Sequence, residues 1–291
     1  MDNTKQSFAD KWGRTERLAF DETLREGSEI QNWILERNGF NSKAQLVSHL
    51  RGKRRILDAG CGNGRVTALL RECTSPSTAE IVGIDLVAAQ IAARNLAPYA
   101  NVRVLSRDLL GQIEDLGRFD FIYCQEVLHH TSDPKRAFLN VSALLEPGGE
   151  IAIYVYKKKA PMRECRDDYL RSRIGGLEYE EALEACNQIT EFGRALAESK
   201  LVVRVPAVDA LGIAAGEYPV QRLIYHYFFK CFWNSSMSMH ENAVINYDWY
   251  HPQLASRHTV DEVRDWFGAA GLNIIHEHID FYGITVRGRR H

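Results

Sequence analysis

The chain is 291 residues long, 45% hydrophobic and 25% charged, with a formal net charge of -2, a composition ordinary for a globular protein with a core of its own. That balance gives no electrostatic ground for nucleic acid or an anionic membrane as a partner, and no stretch approaches the roughly 20 apolar residues needed to cross a bilayer. The cysteines (Cys61, Cys73, Cys124, Cys165, Cys186 and Cys231) include no C-x-x-C pair, so buried free thiols for most of them and no metal site are expected.

The start, MDNTKQSFADKWGR, is polar and lacks the apolar run of a signal peptide, which makes the cytoplasm the expected location. Residues 1–50 read as a helical N-terminal cap anchored by Trp12, Phe20, Trp33, Ile34 and Leu35. Residues 51–156 alternate short apolar runs with helical patterns. The runs are Arg55–Ala59, Ile81–Asp85, Val102–Leu105, Phe119–Cys124 and Glu150–Tyr156. Such alternation predicts a parallel sheet covered on both faces by helices. Pro147-Gly148-Gly149 is expected as a turn that launches the fifth strand.

Residues 157–257 break the alternation and read as a mainly helical insertion, with long helical stretches at Glu178–Lys200 and Val220–Asn234. The latter is apolar nearly all round, which predicts burial. Its narrow polar ridge of Arg222, His226 and Lys230 either faces solvent or meets an anionic group. Asn246–Pro252 is expected as a loop dense in aromatic and hydrogen-bonding groups, either functional or an aromatic plug. Residues 258–291 close the chain. Thr259-x-x-Glu262 is a capping box opening a helix, Gly271 ends it, and Leu272–His278 with Tyr282–Val286 form an antiparallel hairpin. Lys157-Lys158-Lys159 and the tail Arg287, Arg289 and Arg290 are short basic clusters, expected as solvated surface.

The strongest local signal is Ile56-Leu57-Asp58-Ala59-Gly60-Cys61-Gly62-Asn63-Gly64-Arg65. A strand runs into glycines at alternate positions, where a tight turn lets a ligand approach the backbone, and a helix follows. Asp85 ends the next strand, placed for ribose hydroxyls. A dinucleotide-binding loop shares these features, but its G-x-G-x-x-G spacing needs a glycine where Arg65 stands. A carboxylate at Asp58 also opposes a pyrophosphate and suits a ligand carrying an ammonium and a sulfonium.

This loop resembles the first motif of class I S-adenosylmethionine-dependent methyltransferases, E/D-x-G-x-G-x-G. Further segments are similar in the family's order: Asp85, then Asp108-Leu109, then Gln125-Glu126-Val127-Leu128-His129-His130, then Leu145-Glu146-Pro147-Gly148-Gly149. The resemblance implies a Rossmann-like, seven-stranded, mostly parallel sheet with a terminal antiparallel hairpin. It implies cofactor contacts at Asp58, Gly60, Gly62, Gly64, Asp85, Leu86, Asp108, Leu109, Gln125 and Glu126. The insertion leaves after Tyr156, at the edge where ligands bind in such folds, and is expected to act as a lid that supplies the acceptor site.

Methyl transfer asks the protein for orientation, exclusion of water and, for a hydroxyl acceptor, a base. His130 and Tyr156 are the candidate catalytic residues, with Asp248, Tyr250 and His251 next. His129 and His130 alternatively only pack or cap, and Asp108 alternatively caps a helix. Phe8, Trp12 and Trp33 either cover the cofactor or pack on the sheet. The expected function is O- or N-methylation of a small-molecule acceptor by a cytoplasmic biosynthetic enzyme, with a homodimer as a candidate assembly. The alternative keeps the cofactor and changes the reaction, for example cyclisation releasing methylthioadenosine. A nucleic-acid methyltransferase is disfavoured because Gln125-Glu126-Val127-Leu128 stands where base-amine enzymes carry Asp/Asn-Pro-Pro-Tyr. A purely scaffolding role would leave the glycine motif without purpose.

Overall fold

A computed structural model describes residues 3–291. In chain order the elements are α1 (Thr4–Arg14), α2 (Phe20–Leu24), α3 (Glu29–Arg37), α4 (Lys43–Leu50), β1 (Arg55–Ala59), α5 (Arg65–Glu72), β2 (Glu80–Asp85), α6 (Ala89–Leu96), β3 (Val102–Ser106), β4 (Phe119–Gln125), α7 (Pro134–Ser142) and β5 (Leu145–Tyr156). There follow α8 (Pro161–Ile174), α9 (Tyr179–Glu198), β6 (Val202–Val205), β7 (Gly216–Pro219), α10 (Val220–Tyr227), α11 (Met239–Tyr250), α12 (Val260–Ala269), β8 (Leu272–Ile279) and β9 (Gly283–Arg290). These elements divide into two compact units. A core unit holds Trp12–Lys157 and Ser256–His291; an inserted unit holds the described residues 3–11 and Lys158–Ala255.

The core unit is built on one seven-stranded sheet of order β3-β2-β1-β4-β5-β9-β8. β1 to β5 are parallel, and β9 runs antiparallel to both of its neighbours. Side chains alternate across the strands. Ile56, Ile81, Phe121 and Ala152 face a cluster with Ile34, Leu35, Leu46 and Leu50 of α3 and α4. Leu57, Val82, Ile122 and Ile151 face the opposite cluster, with Phe138 of α7 and Phe267 of α12. Both faces are buried, which is why the strands read as continuous apolar runs.

The fifth strand begins earlier than expected. Leu145 pairs with Phe119, the register breaks, and pairing resumes at Glu150 opposite Phe121. Pro147-Gly148-Gly149 is therefore a bulge inside β5, with Gly148 at φ 75°. The capping box at Thr259 and Glu262 forms with both reciprocal bonds, and Gly271 follows α12 at φ 65°. The C-terminal basic cluster is solvated only in part: Arg289 is exposed, whereas Arg287 and Arg290 are half-buried. The Arg287 guanidinium lies 4.6 Å from the Phe40 ring centre, Arg289 pairs with Glu150, and Arg290 donates to the Ser142 carbonyl. A strand paired on both sides, as β9 is, can carry such long side chains because their alkyl stems cover apolar neighbours while the charge finds an acceptor.

The inserted unit departs from expectation in three places. Helix α10 stops at Tyr227 instead of running to Asn234. Side-chain amides take over the main-chain groups beyond it. Gln221 donates to the Cys231 carbonyl, Asn246 brackets Phe232, and Asn242 brackets Asn234. Asn246–Tyr250 is not a loop but the last part of α11, which opens on a capping box at Ser238 and Glu241. The third departure is a two-stranded antiparallel sheet, β6-β7, in a region read as helical or irregular. Among the described residues no helix is long and apolar enough to cross a membrane.

Candidate functional site

The glycine loop leaves β1 at the point where the strand order turns from β1 to β4, the usual ligand crevice of such sheets. Gly60 and Gly62 sit at φ 82° and 55°, in the left-handed region. A Cβ on Gly60 would lie 2.2 Å from Val127 Cγ2, and one on Gly62 would lie 2.9 Å from the Trp12 ring. Both positions thus need glycine for backbone conformation and for space. The Gly60 and Cys61 amides donate to the Ile84 carbonyl, and the Gly62 amide to Asp85 Oδ2 at 2.9 Å. Gly64, at φ 87°, precedes α5.

Three acids lie on these strand ends. Asp58 is buried, and its Oδ2 accepts the Thr67 hydroxyl at 2.6 Å. Burial pushes its carboxyl up to about 7, against the Thr67 hydrogen bond and the Arg65 charge; Asp85 adds to the rise. Asp85 is more engaged than expected. Its Oδ1 accepts the Val87 and Ala88 amides and its Oδ2 the Gly62 amide. A carboxylate offers about four acceptor positions, so one remains, on Oδ2, for a ligand hydroxyl. Asp108 accepts the Leu110 amide at 3.0 Å and so caps a turn, not the helix of the alternative reading. Leu109 is buried and Leu86 exposed.

At the end of β4 the sequence candidates separate. Gln125 is buried, and its amide exchanges hydrogen bonds with Asn38 and accepts the Tyr123 hydroxyl. It serves the interface with α3 rather than the strand edge. Glu126 instead takes φ 63°, a left-handed conformation that a non-glycine residue adopts only under constraint. Its carboxylate pairs with Arg65 Nη2 at 3.4 Å, and Arg65 Nη1 donates to Thr23.

His130 and Tyr156 are brought together by the fold. Their ring centres are 5.5 Å apart, edge to face. His129, fully buried, stacks on Tyr156 at 3.6 Å and touches His130 at 4.3 Å. Residues returning from the insertion bind this cluster through the main chain: the Ser256 amide donates to the His129 carbonyl and the His258 amide to the Tyr156 carbonyl. Asn63 and Asn95 were not picked out by sequence reasoning. Asn63 donates to the Glu16 and Leu18 carbonyls, and Asn95 to Glu16 and Asn63, which fixes the segment after Trp12 beside the glycine loop. Trp33 packs edge-on against Tyr154.

The reserve candidates lie in the inserted unit and are engaged there. Asp248 pairs with Lys11 at 2.6 Å. The Tyr250 hydroxyl donates to Asp167, and His251 bonds Ser7 and the Leu177 carbonyl. All three hold α11 to its neighbours. Among the described residues no group of His, Cys, Asp or Glu is arranged to hold a metal ion.

Comparison with known proteins agrees with this geometry. A family model described as a methyltransferase domain matches residues 34–277. The chain belongs to this family, the class I S-adenosylmethionine-dependent methyltransferase domains of Rossmann-like fold. A ubiquinone biosynthesis O-methyltransferase of Coxiella burnetii is 37% identical over 105 residues, which are 35% of this chain and 43% of that protein. The matched stretch thus spans less than half the length of that curated relative. Among solved structures, PKMT2 from Rickettsia typhi has a TM-score of 0.54 at 15% identity, covering 86% of this chain and 52% of that one. The CurJ carbon methyltransferase has a TM-score of 0.51 at 14% identity, covering 99% and 61%. Both share the fold. The family's cofactor is S-adenosylmethionine, and the residues present suit it: a left-handed glycine cradle, an acceptor on Asp85, and a buried acid at Asp58 whose carboxyl burial pushes up to about 7, which a bound cation would ionise.

Proposed function

We propose that this protein transfers the methyl group of S-adenosylmethionine to an oxygen or nitrogen of a small-molecule acceptor. The observation that carries the reading is the glycine cradle flanked by Asp58 and Asp85, with His130 against Tyr156 at the ends of β4 and β5. Gly60, Gly62 and Gly64 give the cofactor close approach to the backbone, and Asp85 Oδ2 receives a ribose hydroxyl. Asp58, buried away from water, would answer the cofactor's positive charge where Coulomb attraction is strong. Leu86, Asp108 and Leu109 are assigned to the adenine side, and Glu126 to the methionine side. When bound, the cofactor supplies a methyl group already activated by a cationic leaving group.

The chain's own part is then orientation and proton handling. His130 takes the proton of an acceptor hydroxyl. Tyr156, clamped by its stack with His129, holds its ring and hydroxyl beside that imidazole. Residues 157–257 are assigned to acceptor recognition, and the reserve residues Asp248, Tyr250 and His251 support that part as packing groups. The relatives' name speaks of O-methylation, which favours oxygen as the atom modified. The experiment is incubation of the protein with S-adenosylmethionine and a metabolite extract, followed by mass spectrometry. Extract-dependent S-adenosylhomocysteine supports methyl transfer. Methylthioadenosine formed without extract overturns it in favour of cyclisation.

A further inference from the structure

Residues 12–19 belong to the core unit; they comprise the last turn of α1 and its link to α2, beside the glycine loop. The Trp12 ring lies against Gly62, so close that a Cβ there would stand 2.9 Å from it. Asn63, between Gly62 and Gly64 and fully buried, spends both amide hydrogens on this segment. It donates to the Glu16 carbonyl at 3.2 Å and to the Leu18 carbonyl at 3.0 Å. Asn95 of α6 donates to the same Glu16 carbonyl at 2.9 Å and to the Asn63 carbonyl at 3.0 Å. It braces both the segment and the loop residue that holds it.

The far end of the segment is gripped through a relay. Ala19 takes φ 55°, a left-handed conformation that a residue with a Cβ adopts only under constraint. Its carbonyl accepts both the hydroxyl and the amide of Thr23, at 2.7 and 3.0 Å. Arg65, the residue after Gly64, donates to that hydroxyl at 3.0 Å. The glycine loop and its helix thus hold the main chain of this segment at Glu16 and Leu18 directly, and at Ala19 through Thr23. The Arg94–Glu16 ion pair adds little, because both side chains stand about half in solvent.

Asn63 sits where a ligand must approach the backbone, so it cannot shift without moving the carbonyls it holds. Lifting the segment away from the loop breaks its two bonds to Glu16 and Leu18 and the Asn95 bond to Glu16. We propose that residues 12–19 are a latch over the cofactor cradle, that Asn63 and Asn95 are the positioning residues that keep it shut, and that its opening sets the rates of cofactor entry and release. The proposal rests on the glycine loop being the cofactor cradle. A latch slows entry and release alike, so loosening it raises both rate constants and moves the dissociation constant less than the release rate. A purely structural brace leaves both rates alone.

The test is surface plasmon resonance of S-adenosylhomocysteine over the immobilised full chain, which gives both rate constants. Asn95→Ala, outside the loop, is expected to speed release by about fivefold, the equivalent of one hydrogen bond, and to speed association as well. Asn63→Asp keeps the side chain's size and its acceptor for the Arg65 amide but removes both donors; about tenfold faster release or more is expected. Hydrogen exchange on wild type is the second readout. The Leu18 and Phe20 amides, bonded to the Thr15 and Arg17 carbonyls, are expected to exchange more slowly with S-adenosylhomocysteine bound, and Asn95→Ala to lose most of that protection. If Asn63→Asp does not fold, Asn95→Ala and the exchange data decide. Wild-type rate constants in the folded variants, slower association in them, or exchange at Leu18 and Phe20 unmoved by ligand overturns the latch and leaves the cofactor site in place. Absence of S-adenosylhomocysteine binding by wild type overturns the cofactor reading and the latch with it.

Discussion

Replacing Asp58 by Asn tests the electrostatics of the cofactor cradle directly. Asp58 is 2% exposed, and its carboxyl is raised from 3.8 to about 7, chiefly by burial. The unfolded chain ionises this group near pH 4, whereas the folded chain keeps it protonated up to about pH 7. Its contribution to stability is therefore full below pH 4 and is lost between pH 4 and 7. A rise of about three units at 1.36 kcal/mol each sets an upper bound of about 4 kcal/mol. Asn cannot ionise and keeps an oxygen for the Thr67 hydroxyl, giving back about 1 kcal/mol for the weaker neutral bond. At pH 8 the variant is expected to be more stable than wild type by about 1–3 kcal/mol, or several degrees in Tm. At pH 4.5 that advantage is expected to vanish. Differential scanning fluorimetry of both proteins without ligand, from pH 4.5 to 8.5, measures it. A Tm difference that does not change with pH would refute the assignment of the raised acid. Ligand binding reverses the preference: S-adenosylmethionine is expected to bind wild type more tightly as pH rises through 7 and to bind Asp58→Asn more weakly, with no such pH dependence.

Further variants address the other parts of the site. Asp85→Ala removes the acceptor of three loop amides and, in the proposed function, of the ribose hydroxyl. Calorimetry is expected to show S-adenosylmethionine affinity at least tenfold lower, about 1.5–3 kcal/mol, with the circular dichroism of a folded protein; unchanged affinity removes Asp85 from the ribose. Gly60→Ala places a methyl group 2.2 Å from Val127 at φ 82°. A stability loss of about 2–5 kcal/mol is expected in denaturant titration, and wild-type stability would contradict the packing described. His130→Ala and Tyr156→Phe are expected to slow single turnover at saturating cofactor by at least tenfold, with little change in cofactor affinity. Wild-type rates in both would take proton handling away from this pair.

Much of the core unit was legible because its signals are local. Arg55–Ala59 is apolar on alternate sides and buried on both faces, and the glycines that follow have few other uses at that spacing. The capping box at Thr259 and Glu262 works through neighbours in sequence, so its pattern and its structure coincide. The same signal at Ser238 and Glu241 was equally readable, and it converts Asn246–Tyr250 from loop to helix. The premature end of α10 was not readable. It depends on Gln221, Asn242 and Asn246 offering hydrogen bonds to main-chain groups that a longer helix would have satisfied itself.

Residue type and spacing alone determined the sheet, the glycine cradle and the acids Asp58 and Asp85. Each depends on backbone geometry within a few residues. Tertiary packing alone decided what those side chains meet. Gln125 and Glu126 are adjacent in sequence, yet one is drawn to Asn38, 87 residues away, and the other to Arg65, 61 residues away. Arg289 is the exposed charge its sequence context suggests, but the fold also sets it beside the buried Glu150, 139 residues distant. His130 and Tyr156 acquire their edge-to-face contact only because β4 and β5 lie side by side in register. The partner of a long polar side chain is set by strand order and helix contacts far along the chain, and no local pattern encodes that distance.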